Sequence, residues 1–543
     1  MTSIEGGVLS DNVSNTSHDV LIIGAGLAGL TLARQLLMAD PGLDICIVHN
    51  RRFPNPERIH KVGESTVEIG AFYLAETIGC AQHLQDHHIR KMGLRIIQTE
   101  GVAEDDPYRE LGLSFYPRHA TYQIDRGKLE NYLLGLVRPS ITLLENNRVL
   151  DFERKDGVNS VAVRDHDGCV KKRNARWVVD ASGRGRVLMK KFGLQKDSGI
   201  NHSSVWFRVG GNVNINEFLA SRDPANSFLD SSERWHSTTH LVGRGYWVWI
   251  IPINEETTSI GIVFDNAVHK LSSMSSHPLA MSWLQQHEPR LQSYLEAKNF
   301  DVIDFVMLRN YSYLSEQYIS ADGWALTGEA AGFVDPMYSN GTDVIGLANT
   351  MITNAITKPT GPLFINQMNG LLDEAYAGFA DTHRNSYDGF GDWNYMFVKT
   401  NWDTTFYFLF MCVLFMNGKF EDIAYIESIH GKITAFYDLH HEVLEYLKQP
   451  GSVSKDYELA DFINLAGSIQ EYANGAIIVE DKSDENISVV LDYHMKILLE
   501  LAESIMETKT FDRNFYEMRK RLMTEESMAR AASMEAELNS VSV

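Results

Sequence analysis

Cysteine is scarce in this 543-residue sequence: Cys46, Cys80, Cys169 and Cys412 are widely spaced and form no CxxC pair. That excludes a disulfide-stapled secreted scaffold and a cysteine-rich zinc module, and it fits a reducing cytoplasm. Basic residues are also in deficit, with 49 Lys+Arg against 71 Asp+Glu and a net charge of −22. Nucleic acid needs a basic footprint for its phosphates, so no nucleic-acid partner is expected. Long apolar runs are missing too. The longest, Phe406 to Met416, falls short of the ~20 residues a membrane span requires and is expected to be a buried helix. Residues 1–18 lack the apolar segment of a secretory leader and read as a polar, disordered tail. No repeat of fixed period is present. The pairs His87-His88 and His440-His441 do not make a metal site, because adjacent residues on a helix point in different directions. They are expected at the surface, and no metal is expected.

What is present is an ordinary globular composition, 44% hydrophobic and 22% charged, in a chain long enough for two or three lobes. The pattern opens with a buried strand at Val20–Ile23, a glycine turn, an apolar-patterned helix over Leu30–Met38 and a second strand at Asp44–Val48. Helical stretches at 67–90 lead into a strand over Lys91–Gln98, whose alternation puts Lys91, Gly93 and Arg95 on one face. Strands dominate 201–310, notably Ser203–Val209, Tyr246–Pro252 and Ser259–Val263. From 356 the pattern is helical, for example Phe420–Gln449 and Asp484–Ala536. The expected architecture is α/β: a Rossmann-like core over 19–200 and 311–355, an inserted antiparallel β lobe over 201–310, and a helical C-terminal region over 356–543.

Gly24, Gly26 and Gly29 make GxGxxG directly after a strand and at the start of a helix. This context calls for glycine at the tight turn and at the close approach of backbone to a pyrophosphate. Gly26, Leu27, Ala28 and Gly29 then present helix-terminal N–H groups to phosphate charge. The acid expected for the ribose at the end of the second strand is missing. His49 or Asn50 stands there instead. Two further segments, Asp180–Arg184 (DASGR) and Gly323–Gly332 (GWALTGEAAG), resemble the second and third motifs of glutathione-reductase-type FAD proteins. In that resemblance Asp180, Gly328 and Glu329 contact the flavin cofactor, with Glu329 in a place more often held by Asp. Asp125–Glu130 (DRGKLE) is similar to a further FAD contact of aromatic hydroxylases and adds Arg126. No second GxGxxG marks a nicotinamide domain.

The stretch YWVWIIP, residues 246–252, puts Trp247 and Trp249 on one face of a strand and Val248 and Ile250 on the other. Core filling is the plain account. In a chain with FAD motifs, however, WxWxIP resembles the flavin-dependent halogenases, and three more segments agree. Val62–Glu68 (VGESTVE) is similar to that family's flavin strap, which assigns Gly63, Glu64, Ser65 and Thr66 to the cofactor. Lys91 in KMGLR holds the place of the family's essential lysine, and Phe333–Gly341 (FVDPMYSNG) fits FxxPxxSxG, with Pro336 at the flavin. The resemblance implies a halogenase that uses FADH2, dioxygen and chloride or bromide to make hypohalous acid. Asn340 and Gly341 are the halide candidates with Ser339 beside them, and Lys91 directs the oxidant to an electron-rich ring. The paired indoles would wall the flavin off from the substrate chamber.

Tryptophan halogenases carry a Glu where this chain has Tyr338. A ring that activates itself, a phenol or a pyrrole, has less need of that carboxylate, so a phenolic or pyrrolic substrate of secondary metabolism is expected, free or tethered to a carrier protein. A separate NAD(P)H-dependent flavin reductase is implied as the source of FADH2. The alternatives are a flavin-dependent aromatic monooxygenase, which shares the FAD motifs, and a catalytically inactive flavin-binding scaffold.

Overall fold

The computed structural model describes residues 17–56, 61–99, 108–219, 233–359, 361–455, 459, 462–465 and 468–511. Two sheets organise them. Consecutive apolar residues, rather than alternating ones, build the first, as parallel strands covered on both faces require. Ser17–Ile23 lies at its centre, parallel to Ile45–Val48 on one side and to Val170–Asp180 on the other. Ile141–Leu144 and Trp324–Leu326 extend it, again in parallel. Of the expected polar tail, residues 1–16 lie outside the described residues. Ser17 and His18 already belong to the strand, paired with Asn174 and Ala175. The Trp324–Leu326 strand returns the chain to this sheet after an excursion into the second, which gives the interrupted α/β core read from the motifs.

The second sheet runs Asp301–Leu308, His202–Gly210, Thr257–Asp265, Tyr246–Asn254, Thr238–Gly243, Leu94–Gln98, Arg109–Gly112, Phe462–Asn464. Its middle is antiparallel, and Tyr246–Asn254 forms a hairpin with Thr257–Asp265. Strands from before residue 200 and one from the C-terminal region join its far edge, through two parallel pairings. Trp247 and Trp249 point into a core shared with the first sheet and the C-terminal helices. Tyr246, Val248 and Ile250 point into a separate core under the helices His277–His287 and Pro289–Lys298. Gly261 pairs with Trp249, and a Cβ there would lie 2.1 Å from the indole. The absent side chain therefore makes room for the aromatic one.

The strand expected from Lys91 begins only at Leu94. Gly93 has φ +71°, which breaks the extended chain, so Lys91 does not share a sheet face with Arg95 and leaves the sheet edge to enter the core. The helical stretch at 67–90 is divided into Glu68–Phe72, a π-helical turn over Tyr73–Thr77 and Ala81–His87. Likewise 420–449 is broken into Ile423–Ser428 and His430–Leu447, with the Asp422 side chain accepting the Tyr425 N–H at the first start. Asp484–Thr508 starts on Ser483, whose hydroxyl accepts the Asn486 N–H, with Asp484 and Glu485 in its first turn. The expected continuation to Ala536 lies outside the described residues from 512 on. Phe406–Met416 is helical and largely buried as anticipated, with π geometry over Tyr407–Cys412. The histidine pairs correct a surface expectation. His87 and His441 are exposed, but His88 and His440 are buried, the latter stacked on Phe406 and accepting the Trp402 indole N–H at 3.1 Å. Among the described residues no helix is long and apolar enough to cross a membrane.

Candidate active site

At the C-terminal end of the first sheet the glycine turn is held by backbone packing. Gly24 has φ +110°, and a Cβ on it would sit 2.4 Å from the carbonyl of Ala181; one on Gly29 would sit 2.0 Å from the carbonyl of Gly24. Gly26 differs, since a Cβ there would meet nothing within 4 Å. Gly26 also caps the helix Leu27–Ala39 with no side-chain hydrogen bond. The N–H groups of Leu27, Ala28 and Gly29 therefore face open space at a positive helix end. His49 braces the turn: its Nδ1 accepts the Ala25 N–H at 3.2 Å. Burial first, and Lys61 after it, pushes its pKa down to about 4, so the ring is neutral and its Nε2–H remains to donate to a hydroxyl.

The other cofactor candidates frame the same cleft. Arg126 donates to the carbonyl of Val62 at 2.7 Å and to Glu130 at 2.8 Å, while its buried Nε has no acceptor among the described residues. A Cβ on Gly63 would lie 2.9 Å from that guanidinium, and one on Gly328 2.9 Å from Ala28. Asp180 is fully buried and shapes the turn, accepting the N–H of Ser182 at 2.9 Å and of Leu188 at 2.7 Å. Burial raises the Glu329 carboxyl, with Arg184 opposing. An open helix end, an unpaired guanidinium N–H and glycines at each close approach fit the expected flavin dinucleotide, which Gly24–Gly29, His49, the Gly63–Thr66 strap, Arg126, Gly328 and Glu329 would hold.

Lys91 is 1% exposed. Its Nζ donates to Ser65 Oγ at 3.1 Å and to the Thr66 carbonyl at 2.9 Å, both neutral acceptors, and Ser65 Oγ is itself 2.9 Å from Thr238. Two adjacent strap residues, both expected at the cofactor, thus hold the lysine. Burial lowers the amine to about 8, against the pull of Glu68 and Asp343. Those two carboxyls are buried as well. Glu68 accepts from Asn474 at 3.2 Å; Asp343 accepts from the Gly70 N–H at 2.7 Å and from Tyr407 Oη at 2.8 Å. Burial raises Asp343 to about 8. His240, pushed down to about 3 by burial and then by Lys91, sets its ring edge-on to Trp247 at 4.8 Å. His240 thus packs on the indole wall and feels the charge of the lysine.

Both indoles are tethered. Trp249 Nε1 donates to Ser259 Oγ at 3.1 Å; Ser259 in turn moderates the carboxyl of Glu64 in the strap, which burial raises to about 7. Trp247 Nε1 donates to Tyr387 Oη at 2.5 Å, and Tyr387 to Asp335 at 2.7 Å. In the FVDPMYSNG stretch Ser339 holds φ +60°, and its N–H reaches the Pro336 carbonyl at 3.0 Å. Asn340 then caps the helix Gly341–Thr357 without a side-chain bond, and its carbonyl accepts the Asp343 N–H at 3.1 Å. Tyr338 turns its hydroxyl to Asp403 at 2.9 Å, on an oxygen that Lys399 also holds at 2.7 Å.

Hydrogen bonds join the candidates read from sequence in two groups: Lys91 to the strap at Ser65 and Thr66, and Trp247 through Tyr387 to Asp335 of the FVDPMYSNG stretch. Sequence reading left out Glu68, His240, Ser259, Asp335, Asp343, Tyr387, Asp403, Tyr407 and Asn474. Only Asp335 and Glu68 stood inside quoted motifs; the others carry no local signal.

The family described as lycopene cyclase protein matches residues 19–204. A flavin-dependent halogenase of Dictyostelium discoideum is 26% identical over 377 residues, covering 64% of this chain and 61% of that protein. A 1H-pyrrole-2-carbonyl peptidyl-carrier protein chlorinase of Pseudomonas fluorescens is 28% identical over 363 residues, 61% of this chain and 74% of that one. The chain thus spans about six tenths of the length of the amoebal relative. The structure of halogenase PltM with phloroglucinol and FAD superposes with a TM-score of 0.68 at 18% identity, over 90% of this chain and 98% of that one. Over about six tenths of its length the chain is thus similar to flavin-dependent halogenases, and it shares its fold with PltM.

Proposed function

We propose that the protein halogenates an electron-rich aromatic ring, phenolic or pyrrolic, with FADH2, dioxygen and chloride or bromide. The observation that carries this reading is Lys91: a fully buried amine whose hydrogen bonds among the described residues go to neutral acceptors, Ser65 and Thr66 of the strap. A lysine is expensive to bury without an ion pair, and burial there gives what a halogen carrier needs. With its pKa brought to about 8, roughly a tenth of the amine is unprotonated at pH 7. That fraction can take the halogen from hypohalous acid, the N–X bond forming as O–X breaks and water leaving with the amine proton. The remaining ammonium can hold the oxidant by hydrogen bond.

FAD in its reduced form supplies the activation of dioxygen that turns halide into hypohalous acid. This chain's residues bind the pyrophosphate at Gly26–Gly29, brace the turn with His49, and hold the halide at the N–H groups around Asn340 and Gly341, beside Ser339 and Pro336. Trp247 and Trp249 exclude the organic substrate from the flavin side, so halide rather than ring meets the oxidant first. Tyr338, Lys91 and the indoles line the route to the ring. The relatives support the ring class: one is named for a carrier-bound pyrrole, and PltM was solved with phloroglucinol. A carrier-tethered substrate and a separate NAD(P)H-dependent flavin reductase in a cytoplasmic setting complete the proposal.

The test supplies purified protein with FAD, a flavin reductase, NADH, air and chloride or bromide, and offers a panel of phenols and pyrroles, free and carrier-bound. Halogen isotope patterns in the product, lost in Lys91→Ala, are expected. Hydroxylated product independent of halide would replace the reading with a monooxygenase, and bound FAD without turnover on any substrate would leave a scaffold.

A further inference from the structure

Asp335 gathers an unusual number of donors. Its Oδ2 accepts from Tyr387 Oη and Tyr311 Oη, each at 2.7 Å, and from His202 Nδ1 at 3.0 Å. Its Oδ1 accepts the Met337 N–H at 3.1 Å and lies 3.8 Å from His383 Nδ1. The carboxylate is 2% exposed. Tyr387 spends its one proton on this carboxylate, which leaves its oxygen free to accept the Trp247 indole N–H. The bonds run in one direction, indole to phenol to carboxylate, so each polarises the next.

Tyr387 itself cannot drift. Its ring stacks on His202 with centroids 3.8 Å apart and lies 4.6 Å from Phe390. Its carbonyl accepts the Gly245 N–H at 2.9 Å, in the turn just before the indole strand. The second indole is tied to the neighbouring strand, at Ser259 Oγ. The first is fastened through Tyr387, from the C-terminal region, to Asp335 of the FVDPMYSNG stretch.

We infer that Tyr387 and Asp335 are positioning residues that latch the Trp247 indole across the route between the dinucleotide cleft and Lys91, keeping oxidant and organic substrate apart until halide has reacted. The inference rests on the halogenase reading. Loss of the latch leaves cofactor and lysine untouched and opens the wall, so oxidising equivalents leak instead of reaching the ring.

Tyr387→Phe removes one hydroxyl and keeps the ring. In FAD-loaded protein with flavin reductase, NADH, air and bromide, oxidising equivalents are partitioned between brominated phenol, hypobromous acid caught by a β-diketone, and hydrogen peroxide. The leaked share is expected to rise about tenfold relative to product, the factor one hydrogen bond typically carries, with FAD affinity unchanged. Asp335→Asn is expected to move the partition the same way, and the double variant to be no worse than the poorer single one, as for two links of one chain. A second readout needs no turnover: the near-UV circular dichroism of Trp247, isolated by difference from Trp247→Phe, should lose amplitude in Tyr387→Phe. Unchanged partition and an unchanged Trp247 signal in Tyr387→Phe overturn the latch. If the parent protein halogenates nothing, the functional reading falls, and the Trp247 signal alone then decides: lost amplitude upholds the latch and retained amplitude overturns it.

Discussion

Replacing Lys91 by Met should make the protein more stable at neutral pH while removing halogenation, and the size of the gain follows from the site. The amine falls from 10.5 to about 8 on folding because burial penalises its charge, Glu68 and Asp343 only partly offsetting that. At pH 7 this costs the native state about 3 kcal/mol. Lys91→Met relieves that cost but gives up two hydrogen bonds, to Ser65 and Thr66, worth about 1 kcal/mol each. A net gain of about 1 kcal/mol is expected at pH 7. The sign then depends on pH. Between the folded and unfolded values the unfolded chain binds more protons at this position, so parent stability rises with pH relative to the variant. At pH 9.5 the cost has shrunk to about 1.4 kcal/mol, less than the two hydrogen bonds, and the parent becomes the more stable by about 0.5 kcal/mol. Urea unfolding midpoints at pH 7 and 9.5, with FAD at the same concentration throughout, give the two differences. A variant less stable than the parent at pH 7, or a difference that does not change with pH, would refute the account of Lys91 as a buried, unpaired charge.

Three other variants test the glycine turn, a buried ion cluster of the second sheet and the indole wall. Gly26→Val places a side chain in the only space the turn leaves open; it should yield folded protein by far-UV circular dichroism that no longer retains the 450 nm absorbance of bound FAD. Glu110 sits between Arg95 and Arg234, all three about 1% exposed, and Glu110→Gln strands two guanidinium charges, so a loss of about 3–5 kcal/mol should appear as a lowered unfolding midpoint. Trp247→Ala combined with Trp249→Ala removes the wall, and product analysis should show hydroxylated ring and hydrogen peroxide in place of part of the halogenated product. An unchanged product distribution in correctly folded double variant would mean the indoles are only core.

How far the sequence could be read depended on the range of each interaction. The Gly24–Gly29 turn, the 246–265 hairpin and the parallel Val20–Ile23 strand are set by neighbours a few residues away, so periodicity and turn chemistry expose them. Lys91 was found by its motif but misplaced on a regular strand, because the left-handed Gly93 is a one-residue event that an alternating pattern hides. His88 and His440 were expected outside. Their burial depends on which face of a helix meets a distant partner, and for His440 that partner is Phe406 and Trp402. The short strand Phe462–Asn464 offers three residues of signal, and its pairing with Arg109–Gly112 lies beyond any local rule.

The C-terminal helices show why the undetected part matters most. They contain no motif, yet Tyr407 bonds Asp343, Asn474 bonds Glu68, Asp403 takes the Tyr338 hydroxyl and Tyr387 holds Trp247. Each is a single polar atom at the end of a buried side chain, needed because a polar group in the core must find a partner or lose stability. Without these helices Asp343, Glu68, Tyr338 and Trp247 would each lose a hydrogen-bond partner in a buried setting. The region is needed for single polar atoms at a few scattered positions, which leaves no local pattern to read. The same arrangement explains how a lysine with no ion pair among the described residues remains buried: the acids that act on its amine are held by Tyr407 and Asn474, and Nζ itself donates to Ser65 and Thr66.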